Sequence, residues 1–332
     1  MSVALSLLPV ILFLTCLFLL DSFKLVGVGW LFGGILWGGF SALIAYYVNE
    51  SVKTELSLNF ELFTRYAAPV IEEILKSFMI VFLVLRKKVG FSVDAAIYGF
   101  AAGTGFALAE NIVYLYYIGM DEPLILWFIR GFGTAVMHGG CSAILGILLL
   151  NMVQKKETAT GGYFLGLMVA AVIHSLFNHF LLNPYLQTLM IFILLPAFFA
   201  VVFQRSTASL QGWLEIEFSN EVEILLMIRQ GRFSDTKAGS FLNSLKSHFE
   251  AETMVDLYNY ISLYLELSVK SKRNLMLREN GFDPVPETGL REKLAELEAL
   301  RKQIGKTGQL AISPIIRINY RELWKLNQIV AK

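Results

Sequence analysis

The chain has 332 residues, 55% of them hydrophobic and only 17% charged. Its mean hydropathy of +0.58 excludes an ordinary soluble enzyme, which carries more charge and shorter apolar runs. The net charge of +1 hides an uneven distribution, sparse before Arg205 and dense after it. Cys16 and Cys141 both lie in apolar runs and read as packed thiols, with no disulfide framework.

The first twenty residues are apolar but lack a basic n-region and a small-residue cleavage site, so they read as a first span rather than a signal peptide. Seven runs approach or reach the roughly 20 apolar residues that cross a bilayer. They cover 3–20, 26–48, 66–85, 92–118, 124–152, 163–182 and 186–203. The segment 49–65 is polar with spaced Leu and Phe and reads as an interfacial helix or a loop. There is no internal repeat and no low-complexity segment. Basic residues in short loops mark the cytoplasmic side. Lys24, Arg86-Lys87-Lys88, Lys155-Lys156 and Arg205 therefore lie inside, and the loop holding Asp121 and Glu122 lies outside. The N-terminus is then outside and the C-terminus cytoplasmic.

From Ser206 the composition changes. Helical periodicity covers 221–229, 241–267 and 290–304, interrupted by Asp283-Pro284-Val285-Pro286 and by 305–308. The segment 290–303 reads as a solvated amphipathic helix. Acidic and basic residues are interleaved, so no nucleic-acid surface is expected. The predicted fold is all-α. It is a polytopic membrane bundle of about seven spans over 1–204, with a small helical cytoplasmic domain over 205–332. The predicted location is the cell (inner) membrane.

Ionisable side chains cost roughly 2.5–3.5 kcal/mol each inside the hydrocarbon. Yet Glu72, Glu73, Lys76, Glu110, Arg130, His138, His174 and His179 all fall within predicted spans. So many in four consecutive spans point to a polar cavity with a function. Either Glu72 or Glu73 can pair with Lys76 on one helix face, which frees the other for the cavity. His174 and Asn178 share a face, as do Phe106 and Glu110. A carboxylate with an imidazole suits water activation, and an amide with an imidazole suits oxyanion stabilisation. At about 1.5 Å per residue, Glu72, Glu110 and His174 lie roughly 10–12 Å from the outer face and His138 roughly 20 Å. Arg130 reads as a partner for Glu110 or a backbone carbonyl, and His179 as an interface histidine. Asn111 either satisfies a neighbouring helix or does chemistry. These residues point to an intramembrane protease acting on a membrane-protein substrate in the bilayer. A proton-coupled transporter and a membrane scaffold are the rivals. The first would show two related halves, and the second would not need these groups.

Glu72-Glu73-Ile74-Leu75-Lys76 resembles the EExxK motif of the PrsW family of intramembrane proteases. Phe106 to Tyr114, His138-Gly139-Gly140-Cys141-Ser142 with Gly146, and His174-Ser175-Leu176-Phe177-Asn178 are similar to its other motifs, in order. The likeness covers roughly 66–182 and leaves the tail outside. PrsW proteins in turn resemble the Abi and CAAX prenyl endopeptidase superfamily. The resemblance implies Glu72 as general base, Glu73 held by Lys76, and His174 with Asn178 lining the oxyanion site. It implies that His138 assists the water or the leaving group. The superfamily often has a histidine in an FxxxH motif, where Phe106 here leads to Glu110. No cofactor is required on this reading, but that departure keeps Zn²⁺ open, held by Glu73, Glu110, His138 and His174. There is no HExxH motif.

Overall fold

The computed structural model describes residues 1–21, 23–55, 57, 59–155, 158–283, 288–316 and 326, with all side chains except those of residues 213 and 215–217. The expectations for Lys156 and for Pro284, Val285 and Pro286 lie outside the described residues. Among the described residues every element is helical. The helices of the first part are α1 (Ser2–Leu19), α2 (Val28–Glu55), α3 (Phe60–Leu62), α4 (Ala68–Leu85), α5 (Ser92–Tyr117), α6 (Leu124–Phe128), α7 (Val136–Gln154) and α8 (Ala159–Asn178). Then follow α9 (Pro184–Arg229), α10 (Lys237–Ser244), α11 (Ala251–Glu279), α12 (Leu290–Gln303) and α13 (Gly305–Ala311). The chain forms two compact units, Met1–Thr207 and Ala208–Lys332.

Among the described residues, five stretches are long and apolar enough to cross a membrane: Ser2–Leu19, Val28–Glu55, Leu124–Gln154, Ala159–Asn178 and Pro184–Gly212. Of the seven expected spans, α4 and α5 are not among these five. Glu72, Glu73 and Lys76 fall within the 18 residues of α4, and α5 carries Asp94 and Glu110.

Other boundaries differ from expectation. The second helix does not stop at 48 but continues to Glu55, and the next helix begins at Phe60. The expected helix 241–267 is broken between α10 and α11, and the expected 221–229 helix is the end of α9.

Two π-helical segments, Phe63–Ala67 before α4 and Ile129–Ala135 before α7, join their flanking helices without a break. Such i→i+5 turns are rare and are frequent at functional sites.

The centre of the membrane unit is α5. Every residue from 93 to 107 is buried, and the helix packs against both α2 and α7. Missing side chains permit this approach. A Cβ on Gly105 would lie 1.9 Å from the carbonyl oxygen of Ile35 in α2. One on Gly103 would lie 2.3 Å from the carbonyl oxygen of His138 in α7. Gly103, Phe106 and Glu110 share one face of α5, so the crossing at Gly103 brings His138 up to Phe106 and Glu110.

The outside of the unit suits lipid. On α8, Phe164, Met168, Val172 and Leu176 recur every fourth residue and are 50–62% exposed. The inward stripe of α8 is Gly166, Ala170, His174 and Phe177. A row of bare aromatic and aliphatic side chains is a liability in water and is solvated by acyl chains.

The second unit has its own core, built from residues such as Leu225, Phe233, Leu257, Tyr260, Ile261, Tyr264, Leu297 and Leu300. Lys272 is fully buried there, 3.1 Å from Glu221, which also accepts from the Ser268 hydroxyl.

The Gly103 crossing generates the first prediction. Gly103→Ala forces a methyl into the His138 backbone and should destabilise the protein by about 1–3 kcal/mol, as overpacking does. Gly29, whose Cβ would meet nothing within 4 Å, tolerates Ala. Thermal melting of the two variants in detergent checks this. Equal midpoints would contradict the close crossing.

Candidate active site

The site is assembled on a sealed carboxylate. Glu73 is fully buried. Its Oε1 accepts from Lys76 Nζ at 2.6 Å and lies 2.9 Å from His174 Nδ1. Its Oε2 is buried without a hydrogen-bond partner. The i,i+3 spacing puts Glu73 and Lys76 on one face of α4, and His174 comes from the inward stripe of α8. A carboxylate only accepts, so His174 donates through Nδ1–H, and in the neutral imidazole its Nε2 then carries the lone pair.

Lys76 is also fully buried and donates to His138 Nδ1 at 3.1 Å. The ammonium has no lone pair, so His138 accepts there and its Nε2–H donates to Glu110 Oε2 at 3.1 Å. Phe106 lies beneath this contact, its ring centre 5.0 Å from Lys76 Nζ and 5.0 Å from the His138 ring. Arg130, from the second π segment, lies 3.4 Å from Glu110 and stacks on Tyr114 at 3.5 Å. Its Nε donates to Asn111 Oδ1 at 2.9 Å, and Asn111 donates to the Ser6 carbonyl of α1 at 2.7 Å. Asn111 thus satisfies a neighbouring helix. The polar groups form one chain across α1, α5, α7, α4 and α8.

Glu72 is the contrasting carboxylate. Its side chain is 14% exposed where that of Glu73 is sealed. Its Oε2 is 3.7 Å from His174 Nε2, too far for a hydrogen bond. Its Oε1 accepts from Asn49 Nδ2 on α2 at 3.2 Å. Among the described residues no donor binds Oε2, which stands 3.7 Å from His174 Nε2.

Asn178 donates to the Thr64 carbonyl at 3.0 Å, and Ser175 donates to the Arg65 carbonyl at 2.6 Å. Both acceptors lie in the π segment before α4. Two side chains from the helix of His174 thus tie down the turn that leads into Glu72 and Glu73. One of the two Asn178 amide hydrogens is thus engaged with this backbone. His179 bonds its own helix at the Ser175 carbonyl, 2.7 Å away.

Sequence reasoning missed Asn49 and Ser175. Asn49 opens the polar segment 49–65, which reads in the sequence as an interfacial helix or a loop. Yet the inward stripe of α2 runs Leu31, Gly34, Gly38, Ser41 and Ala45, and the same spacing continues to 49.

Three groups converge on one point. Ligand atoms of Glu72, His138 and His174 all lie within 4.8 Å of one another. Two imidazoles and a carboxylate are a catalytic zinc donor set. His174 is suitably supported, because a carboxylate on the far ring nitrogen fixes the tautomer of a metal-bound histidine. Coordination through His138 Nε2 would leave its proton on Nδ1, directed at Lys76 as a free amine. The residues present fit a divalent metal. The set differs from the expected one: Glu73 Oε1 is held by Lys76 and His174, and Glu110 is held by His138 and Arg130, so Glu72 is the carboxylate that faces the two rings.

The buried pairing generates the second prediction. Lys76→Met removes the ammonium and leaves Glu73 with His174 alone. Breaking a buried pair costs about 3–5 kcal/mol in soluble proteins, so the melting temperature should fall steeply. An unchanged melting temperature would contradict this pairing.

Residues 27–203, just over half of the chain, match the family described as PrsW family intramembrane metalloprotease. No curated protein and no solved structure matches the chain. The matched residues include α2 through α8 and hold every ionisable group of the cluster. The chain therefore belongs to the PrsW family of intramembrane metalloproteases.

Proposed function

We propose that the protein is an endopeptidase that cuts a membrane-protein substrate in or near its transmembrane segment, with Glu72 and His174 as the groups that work on water. One observation carries this reading. His174 Nδ1 is bound to Glu73, which leaves Nε2 3.7 Å from the unshared oxygen of Glu72. A water beside this contact that donates to both acceptors is oriented and polarised by both. Glu72 takes a proton as the water oxygen adds to the scissile carbonyl carbon. That proton passes to the departing nitrogen, and the C–N bond breaks. His138 and Glu110, joined by a hydrogen bond, form the opposite wall and assist the leaving group. Glu73 and Lys76 hold the imidazoles in place. We assign Asn178 to holding the π turn, with its second amide hydrogen available to the oxyanion.

A second reading is favoured by the convergence of Glu72, His138 and His174 and by the family's description. In it these three residues hold a divalent metal such as zinc. When bound, the metal supplies Lewis-acid polarisation of the carbonyl and a more acidic water. Glu73 then keeps His174 in the right tautomer, and Glu110, whose side chain is 27% exposed, becomes the base. In both readings Glu72 and His174 Nε2 are the working atoms.

Within the bilayer we propose seven spans, with α4 and α5 completing the five apolar ones around the polar cluster. We also propose an outside N-terminus in the cell membrane and a cytoplasmic accessory domain after Arg205. The Abi and CAAX endopeptidase likeness is the family-level analogy for the chemistry.

Glu72→Gln should lower cleavage of a single-span model peptide at least 10²-fold, the lower end of general-base catalysis, and leave the protein monodisperse. Wild-type turnover would overturn the role. Treating the wild-type protein with a chelator separates the readings. Full activity afterwards supports the first, and loss of activity with restoration by zinc supports the second. Cysteine labelling should find residue 121 outside and residues 88 and 206 inside. An inside location for 121 would overturn the topology.

A further inference from the structure

We propose that Asn49 is a positioning residue for Glu72, holding one oxygen of that carboxylate so that the other faces His174. The proposal rests on the reading of Glu72 as the working carboxylate.

The two adjacent glutamates are held very differently. Glu73 Oε1 has two donors, Lys76 and His174. For Glu72 the one hydrogen bond found among the described residues comes from Asn49 Nδ2 to Oε1, at 3.2 Å. The terminal torsion of glutamate is soft and roughly two-fold. A carboxylate without an anchor therefore exchanges its two oxygens and turns away from its target. With Oε1 held by Asn49, Oε2 is the oxygen that stands 3.7 Å from His174 Nε2.

The donor is neutral, which matters for the chemistry. A lysine in this place would neutralise the carboxylate as Lys76 does for Glu73. An amide orients Glu72 and leaves its charge for water or a metal. Working groups are held to within about 0.5 Å by such supporting bonds.

The bond to Asn49 is separate from the packing of its helix. Trp37, twelve residues earlier on α2, donates to the Leu75 carbonyl of α4 at 3.0 Å. Gly38 brings α2 against the α5 backbone, where its Cβ would lie 1.9 Å from the Ala102 oxygen. These contacts fix α2 beside α4 and α5 without Asn49. Among the described residues the buried Asn49 Oδ1 atom has no hydrogen-bond partner, so a substitution breaks no bond at that oxygen. That same oxygen could instead accept from a substrate backbone N–H, and the test includes this outcome.

The full-length protein in lipid nanodiscs is assayed with a fluorogenic single-span peptide, and kcat, KM and the melting temperature are recorded. Asn49→Ala and Asn49→Leu both remove the donor, the second at similar volume. Asn49→Gln keeps an amide. The expected result is a fall in kcat of tenfold or more for Ala and Leu, with KM within threefold of wild type. Gln should restore kcat to within about fivefold. If Ala does not fold, the comparison of Leu with Gln decides. Equal kcat in those two, or wild-type kcat in Ala, would overturn the proposal. A rise in KM alone would also overturn it, because Asn49 would then hold substrate. Glu72→Gln is measured in parallel. If that variant is fully active the underlying reading of Glu72 has failed. If it is inactive while Asn49→Ala is unimpaired, only the role of Asn49 has failed.

Discussion

The Glu73 carboxylate, closed off between Lys76 and His174, is the interaction on which the rest of the site depends. Its Oε1 gathers an ammonium from its own helix and an imidazole from α8 within 2.9 Å. The consequence for His174 is directional. With Nδ1 committed to Glu73, the lone pair on Nε2 is turned toward Glu72. The consequence for Lys76 is similar, because the ammonium that holds Glu73 also holds His138. One buried anion thereby orients both histidines, and its neighbour in sequence is left for chemistry. Removing half of such a pair strands a charge that the apolar surroundings cannot solvate.

Such a cluster survives in an apolar bundle because its charges are joined and its helices approach closely. Intramembrane polar groups face the bundle interior and pair with one another. Here the pairing runs without interruption from the Ser6 carbonyl through Asn111, Arg130, Glu110, His138 and Lys76 to Glu73 and His174. Glycines at 103 and 105 let α7 and α2 close on α5. Dispersion packing across such contacts holds membrane helices together where lipid removes the usual hydrophobic drive. The two π segments add local control. One carries Arg130 to Glu110, and the other, tied by Ser175 and Asn178, sets the entry into α4.

Much of this was legible in the sequence, for identifiable reasons. Charges inside apolar runs are conspicuous, so Glu72, Glu73, Lys76, Glu110, Arg130, His138 and His174 could all be singled out. Helical spacing predicted that one of the two glutamates would pair with Lys76; which one depends on helix rotation, and spacing does not carry that. The depth reading set His138 apart from Glu110 and His174, yet its ring lies against both. Asn49 was lost for another reason. A polar residue at the end of an apolar run looks like the start of a loop, and only the neighbouring helix shows that α2 continues. The contacts of Ser175 and Asn178 with the backbone of residues 64 and 65 follow from a π turn that no hydrophobic pattern announces.

The protonation of His174 tests the central claim most directly. The chain has only four histidines, so nitrogen NMR of protein labelled at the histidine ring can resolve them individually, with His174→Gln giving the assignment. The account predicts that His174 carries its proton on Nδ1 and none on Nε2, and that Glu73→Gln disturbs this state while Glu72→Gln preserves it. A proton on Nε2 in the wild-type protein would contradict the account, because no lone pair would then face Glu72.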